Sequence, residues 1–341
     1  MILNDGKKLS SFGEMYVVAE VNTSHFGKFD NAKLMIDRIA KSGCDSVKFQ
    51  SWDANTLNSK SFYSENPIAR RMYNKLSLTQ NELKKLSEYS RFKKISFSST
   101  AYSYDELDFL INQCSPAFLK IASMDIVYHE FIKEFANSGL PVVLSTGMAS
   151  RKEIDSAVEI FAKANNPNLC ILHCVSLYPA PANQLNLLSI QSLRRAFPDY
   201  IIGYSDHSTD SLSPVIAYSL GAAFLERHFT LDNSKIGFDN QMASEPWQFT
   251  EIKKNLEHAQ KSMGHIGKNL SSAEIEQRNK MRRSICYKQS FKSGHILQKG
   301  DFVMKRPGLK FSPNQLPQLL NNTLIQDVDE EQLVSEEHFK T

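Results

Sequence analysis

At 341 residues, with 41% hydrophobic and 23% charged side chains, the chain has an ordinary globular composition that excludes disordered and collagen-like classes. That length buries a substantial core, as one large domain or as a large domain with a small one. A net charge of +3 is too small to argue for nucleic-acid or membrane partners.

No apolar run is long enough to span a bilayer, and Met1–Lys8 lacks the layout of a signal peptide, so a cytoplasmic location is expected. The five cysteines, Cys44, Cys114, Cys170, Cys174 and Cys286, are an odd number in partly apolar surroundings. They read as reduced thiols; the Cys170/Cys174 spacing has no second pair with which to hold zinc.

Short apolar runs recur through the first three quarters of the chain, at Met15–Ala19, Ser46–Phe49, Ile95–Ser98, Phe118–Ile121, Val142–Leu144, Leu169–His173, Ile201–Tyr204 and Ala223–Glu226. Their nearly continuous apolar character suits strands buried on both faces. Amphipathic stretches such as Asn31–Ala40 and Arg151–Phe161 separate them and predict helices. Eight such units in roughly 250 residues predict an α/β fold, a (β/α)8 TIM barrel; an open doubly wound sheet is the alternative. The second and third strands are set farther apart by a polar insertion, Asn58–Pro67, either a lid over the catalytic face or loop decoration. A helix from Gln80 follows, with Thr79 and Glu82 as a capping box. The expected domains are a catalytic barrel over 1–264, a linker over 265–282 and a small domain over 283–341 with short strands near Ser284–Tyr287 and Asp301–Met304.

A barrel enzyme projects its chemistry from the C-terminal ends of the strands. Polar groups gather at those ends: Glu20, Asn22, Lys48, Gln50, Thr100, Lys120, Ser123, Ser145, His173, Tyr178, Ser205, Asp206, His207, Glu226, His228 and Asp239. Lys48 and Lys120 lie inside apolar strands, where a lysine is costly unless paired. With Thr100, Ser123, Ser145 and Ser205 they describe a phosphate pocket, unless a lysine points outward between helices. His207 and His228 end adjacent strands. They suit a shared divalent metal completed by Asp239 or water, or else two hydrogen-bonded core histidines.

Taken together, these segments resemble the sialic acid synthase family of phosphoenolpyruvate-dependent nonulosonic acid synthases. The resemblance rests on Ala19-Glu20-Val21-Asn22, Val47-Lys48-Phe49-Gln50, Leu119–Ser123, Leu144–Met148, Leu172–Pro179, Gly203–Ser208 and Glu226–Asp232, in the family's order. Arg282-Arg283-Ser284 and Lys305-Arg306-Pro307-Gly308 resemble its C-terminal antifreeze-like (SAF) domain. The resemblance implies a transferase of carbohydrate biosynthesis that condenses phosphoenolpyruvate with an N-acetylmannosamine-type sugar. Lys48, Thr100, Lys120, Ser123, Ser145 and Ser205 would hold phosphoenolpyruvate, and Glu20, Gln50, Tyr178 and Asp239 the sugar. His207 and His228 would bind a divalent metal, usually Mn2+ in the family. Glu20 would handle a proton or stabilise cationic charge, and Arg306 would reach the sugar's acyl group from the partner of a domain-swapped homodimer. The stretches Thr23–Gly27 and Gly237–Ala243 depart from the family pattern, and the second, which would face the sugar, implies a modified mannosamine or a related hexose as acceptor. The rival readings are a barrel synthase using another aldose and a catalytically silent carbohydrate-binding homologue.

Overall fold

The computed structural model describes residues 1–339. Strands β1 (Tyr16–Glu20), β2 (Ser46–Gln50), β3 (Ser96–Thr100), β4 (Leu119–Ile121), β5 (Val142–Ser145), β6 (Leu169–Cys174), β7 (Ile201–Asp206) and β8 (Phe224–His228) are parallel and pair in chain order. The last returns to the first, with Tyr16 opposite Phe224 and Glu20 opposite His228, so the sheet closes into a TIM barrel and the doubly wound alternative is excluded. Most strands run one or two residues past their sequence-based ends. Residues such as Thr100, Asp206 and His228 read as loop by their polarity, yet they pair with Lys120, Arg227 and Glu20 of the neighbouring strands.

The helices form where the periodicity places them. That over Phe29–Lys41 buries Ala32, Met35, Ile36 and Ile39. That over Arg151–Lys163 opens with a Ser150/Glu153 capping box and buries Ile154, Ala157, Val158 and Phe161. Fully burying one such aliphatic or aromatic side chain contributes about 1.5–3 kcal/mol.

Alternation along each strand then sorts side chains to the two faces. Val17, Ala19, Val47, Leu119, Leu144, Ile171 and Leu225 turn outward into the layer shared with the helices. Tyr16, Val18, Phe118, Val143, Cys170, Leu172 and Phe224 turn inward and plug the lower barrel. There Phe224 stacks on Tyr16 at 5.5 Å and meets Phe118 edge-on at 5.2 Å. The plug is tight enough that a Cβ on Gly203 would lie 2.5 Å from Leu172 Cδ2 and 2.8 Å from the Phe224 carbonyl oxygen. One turn of the alternation higher, the inward positions become Glu20, Lys48, Lys120, Ser145, Ser205 and Glu226, which lie above this apolar floor.

The insertion after β2 is helical, not loop: short helices cover Ala54–Leu57, Lys60–Glu65 and Pro67–Leu76. Asp53, Ser59 and Pro67 start them, the first two by side-chain capping. The last helix lies hard against the loop after β1. At Gly27, whose φ is +68°, a Cβ would sit 1.9 Å from the Lys75 carbonyl oxygen. The helix over Gln80–Phe92 carries the expected Thr79/Glu82 capping box.

A second compact unit begins at His265. The stretch expected as a linker contains a capped helix, Ser272–Met281, which clusters with this unit. Its core is Ile285, Tyr287, Phe291, Leu297, Leu319, Leu324, Val328 and Val334 around the antiparallel pair β9 (Ser284–Tyr287) and β10 (Phe302–Lys305). All five cysteines are free thiols, and among the described residues no helix is long and apolar enough to cross a membrane.

The outward positions at the tops of β7 and β8 carry a buried ion pair, Asp206 with Arg227. Arg227 Nε donates to Ser244 Oγ at 2.7 Å, and Asp206 accepts from the Tyr204 hydroxyl and the Ser208 amide. Arg227→Met leaves Asp206 charged and unpaired at full burial, and a loss of about 3–5 kcal/mol is expected. An unchanged urea midpoint of barrel unfolding would contradict this role.

Candidate active site

The inward side chains open into one cavity of about 470 Å³ at the C-terminal ends of the strands. It is lined by Glu20, Lys48, Gln50, Thr100, Lys120, Ser123, Ser145, Tyr178, Ser205, His207, His228 and Asp239. The remaining sequence-based site residue, Arg306, belongs to the second unit, where its guanidinium is exposed and faces Met281 Sδ at 3.5 Å.

Both strand lysines point inward and are almost fully buried. Lys48 Nζ pairs with Glu20, lies 3.6 Å from Glu226 and donates to Thr100 Oγ1 at 2.9 Å. Burial opposes its charge, but the two carboxylates hold its pKa above the usual lysine value. Lys120 has no such carboxylate pair in contact. It donates to Ser145 Oγ at 2.7 Å and to the Ile121 carbonyl at 2.8 Å. Burial and repulsion by Lys48 outweigh the pull of Glu226 and lower its pKa. Ser123 Oγ accepts the Gly147 amide at 3.0 Å, which fixes a hydroxyl beside it.

Glu20 is held by the Asn22 amide at 2.7 Å. Burial raises its pKa well above the ordinary carboxylate range, countered by Lys48 and reinforced by Glu226. Burial also opposes ionisation of Glu226, yet Lys120, Lys48 and His207 together keep it below the usual value. Two carboxylates of one cavity are thus pushed in opposite directions, the separation that acid–base chemistry uses.

The two histidine rings lie with centroids 5.5 Å apart, tilted 55° to one another, and Tyr178 packs on His207 at 4.2 Å. Burial lowers the pKa of both, and for His228 the neighbouring His207, Lys48 and Arg227 add to it. Both are therefore neutral. His207 Nδ1 lies 2.8 Å from the Val175 carbonyl, so it carries the proton and Nε2 keeps its lone pair. Among the described residues no third His, Cys, Asp or Glu joins them in a cluster able to hold a metal. Asp239 is hydrogen-bonded by Asn22, and burial raises its pKa.

Tertiary structure adds residues to which the sequence assigned no role. Glu226 lines the cavity, its Oε2 buried without a hydrogen-bond partner among the described residues. Asp125, just beyond Ser123, likewise has a buried, unpartnered Oδ2, and burial pushes its pKa up to about 6 against the pull of Lys120. Tyr102 donates to Gln50 Oε1 at 2.9 Å, and Tyr73 reaches the cavity from the insertion. Period-2 counting from Lys48 and His228 would have found Glu226; no sequence signal points to Tyr73. Conversely, His173 and Asp206 end strands but face away from the cavity. His173 Nε2 binds the Leu185 carbonyl at 2.8 Å.

Residues 35–268 match the NeuB family. An N,N'-diacetyllegionaminic acid synthase of Campylobacter jejuni is 33% identical over 94% of this chain and 98% of its own. An N-acetylneuraminate-9-phosphate synthase of Drosophila melanogaster is 30% identical over 89% of this chain and 90% of its own. The crystal structure of the N-acetylneuraminic acid synthetase of Leptospira borgpetersenii, solved with citrate, superposes with a TM-score of 0.73 at 33% identity, over 81% of this chain and 95% of that one.

Replacing Lys48 by Met leaves Glu20 and Glu226 to face each other in a low-dielectric cavity. At least one of them is then expected to hold a proton at neutral pH. Infrared difference spectroscopy against the parent protein should reveal the new carboxylic-acid carbonyl band, and two ionised carboxylates in Lys48→Met would refute the pairing.

Proposed function

The chain belongs to the NeuB family, and from that premise we propose that it condenses phosphoenolpyruvate with an N-acetylmannosamine-type amino sugar and water, giving a nonulosonic acid and phosphate. The observation that carries this reading is the pairing, in one cavity, of a lysine that touches no carboxylate with two neighbouring neutral histidines.

Lys48, Lys120, Thr100, Ser123, Ser145 and Ser205 form the pocket for phosphoenolpyruvate, its phosphate set against Lys120. Gln50, Tyr178, Asp239 and Glu20 face the acceptor. Two neutral imidazoles lining one cavity, His207 with its Nε2 lone pair free, would hold a divalent ion, Mn2+ by family resemblance, with water or substrate completing its shell. When bound there, such an ion supplies Lewis-acid polarisation of the sugar aldehyde. C3 of phosphoenolpyruvate bonds to the aldehyde carbon, positive charge develops at C2, and Glu20 stands beside that centre to stabilise it or to take the proton of the incoming water. Water oxygen adds at C2, the C2–O bond to phosphate breaks, and the keto acid remains.

The stretch 283–341 within the second unit is assigned as the antifreeze-like domain, with Arg306 serving the acyl group of the sugar held by the partner in a swapped homodimer. The two named relatives make different sialic-type acids, and the unusual stretch Gly237–Ala243 borders the acceptor residue Asp239. The departure of that stretch from the family pattern supports a modified mannosamine or a related hexose over N-acetylmannosamine itself.

With Mn2+, phosphoenolpyruvate and a panel of 2-acetamido sugars, phosphate release is expected only when a matching sugar is present. No release with any sugar would favour a silent carbohydrate-binding protein. His228→Ala is expected to lose bound metal while remaining folded, measured by metal analysis beside circular dichroism; unchanged metal content removes the ligand assignment. Arg306→Ala should raise the KM for sugar and not that for phosphoenolpyruvate, and equal effects on both would count against its acyl-binding role.

A further inference from the structure

Glu106 is a buried carboxylate outside the cavity, 5% exposed, to which the reaction above gives no part. It is the third residue of the helix Tyr104–Phe109, and Ser103 caps that helix by accepting the Glu106 amide at 3.3 Å. A serine followed three residues later by a glutamate is the pattern of a capping box, in which the carboxylate returns to the amide of the capping residue. Here the carboxylate goes elsewhere. Oε2 accepts the Tyr102 amide at 2.7 Å, and Oε1 accepts the Asp53 amide at 2.9 Å. Asp53 opens the insertion after β2 by capping its first helix, and Tyr102 lies just beyond β3. One side chain therefore ties together the loops that leave two neighbouring strands. Burial raises its pKa, and the two amide bonds oppose that rise.

The tie reaches a side chain of the cavity. Tyr102 lines the cavity, and its hydroxyl donates to Gln50 Oε1 at 2.9 Å. Burial, reinforced by Glu20, Asp125, Glu106 and Glu226, raises the phenol well above its ordinary pKa, so it keeps its proton. Its ring packs on Trp52 at 6.3 Å, directly before Asp53 in the chain. With Oε1 engaged, the Gln50 amide has its N–H groups left to offer a ligand. A loose glutamine loses rotamer freedom when it binds, whereas one held in advance loses less.

We infer that Glu106 and Tyr102 are positioning residues: Glu106 sets the Tyr102 backbone, and Tyr102 sets the Gln50 amide so that its N–H donors meet an oxygen of the acceptor sugar. This rests on the synthase reading above, in which Gln50 faces the acceptor. Among the described residues, neither bonds to Lys48, Lys120 or the hydroxyls assigned to phosphoenolpyruvate, so their effect falls on the sugar.

The test measures phosphate release with Mn2+, phosphoenolpyruvate and whichever 2-acetamido sugar of the panel the parent enzyme turns over fastest. Tyr102→Phe keeps the ring and is expected to raise the KM for sugar about fivefold, the scale of one lost neutral hydrogen bond. The KM for phosphoenolpyruvate should stay within about twofold, small beside that effect. Gln50→Ala should raise the sugar KM as well, and adding Tyr102→Phe to it should change nothing further, because the hydroxyl acts only through Gln50. Glu106→Gln, whose amide nitrogen cannot accept a backbone N–H, is expected to shift the sugar KM in the same direction, and again only while Gln50 is present. An unchanged sugar KM in Tyr102→Phe, an equal rise for both substrates, or additive effects in the double variant overturns the inference. Glu106→Gln that lowers the urea midpoint and leaves the sugar KM alone overturns the part given to Glu106. If Glu106→Gln does not fold cooperatively, Glu106→Asp replaces it, too short to hold both amides and expected to act in the same direction. Parent enzyme that releases phosphate with no amino sugar at all sinks the synthase reading itself, a result distinct from sugar-dependent turnover that ignores Tyr102.

Discussion

Lys48 lies almost fully buried between Glu20 and Glu226, and the upper half of the barrel is organised around that arrangement. Lys48 alone touches both carboxylates, and Glu226 is also held ionised across the cavity by Lys120. Glu20 is drawn toward the protonated form, Glu226 toward the ionised one, and Lys120 is left short of countercharge. Such groups cost folding energy while the cavity is empty. An anion brought beside Lys120 would relieve part of that cost.

The fold tolerates this because the same strands carry stability elsewhere. Below the charged layer, Tyr16, Phe118 and Phe224 pack into an apolar floor so close that Gly203 has no room for a side chain. Outside the barrel wall, Asp206 and Arg227 neutralise each other, one residue away from the histidines in sequence and on the opposite face. A single step along a strand separates a residue that holds the barrel together from one that faces substrate.

The cavity draws on nearly every strand. Two lysines, Lys48 on β2 and Lys120 on β4, share it with hydroxyls of Thr100 on β3, Ser145 on β5 and Ser205 on β7 and with the amide, carboxylate and aromatic groups of β1, β2 and the loop after β8. The insertion and the stretch around Phe238 reach this cavity from outside the strands, through Tyr73 and Asp239.

The eight strands were legible in the amino-acid sequence because a parallel strand buried on both faces needs an unbroken apolar run. The twelve cavity residues were legible because a polar group terminating such a run has few other reasons to be there. Inward or outward direction was less legible where strand ends were misjudged. Glu226 turned out to line the site, while Asp206 and His173 turned away, since side-chain facing depends on a register that only barrel closure fixes. The helical character of the insertion was hidden by its polarity, because short capped helices lack a long apolar period. The sequence by itself determined which chemical groups the barrel has at its disposal. Tertiary structure alone decided that Tyr73 and Phe238, 165 positions apart in numbering, share one stacked surface, because their contact arises only once the insertion helix seats on Gly27 and the loop after β8 folds back over it.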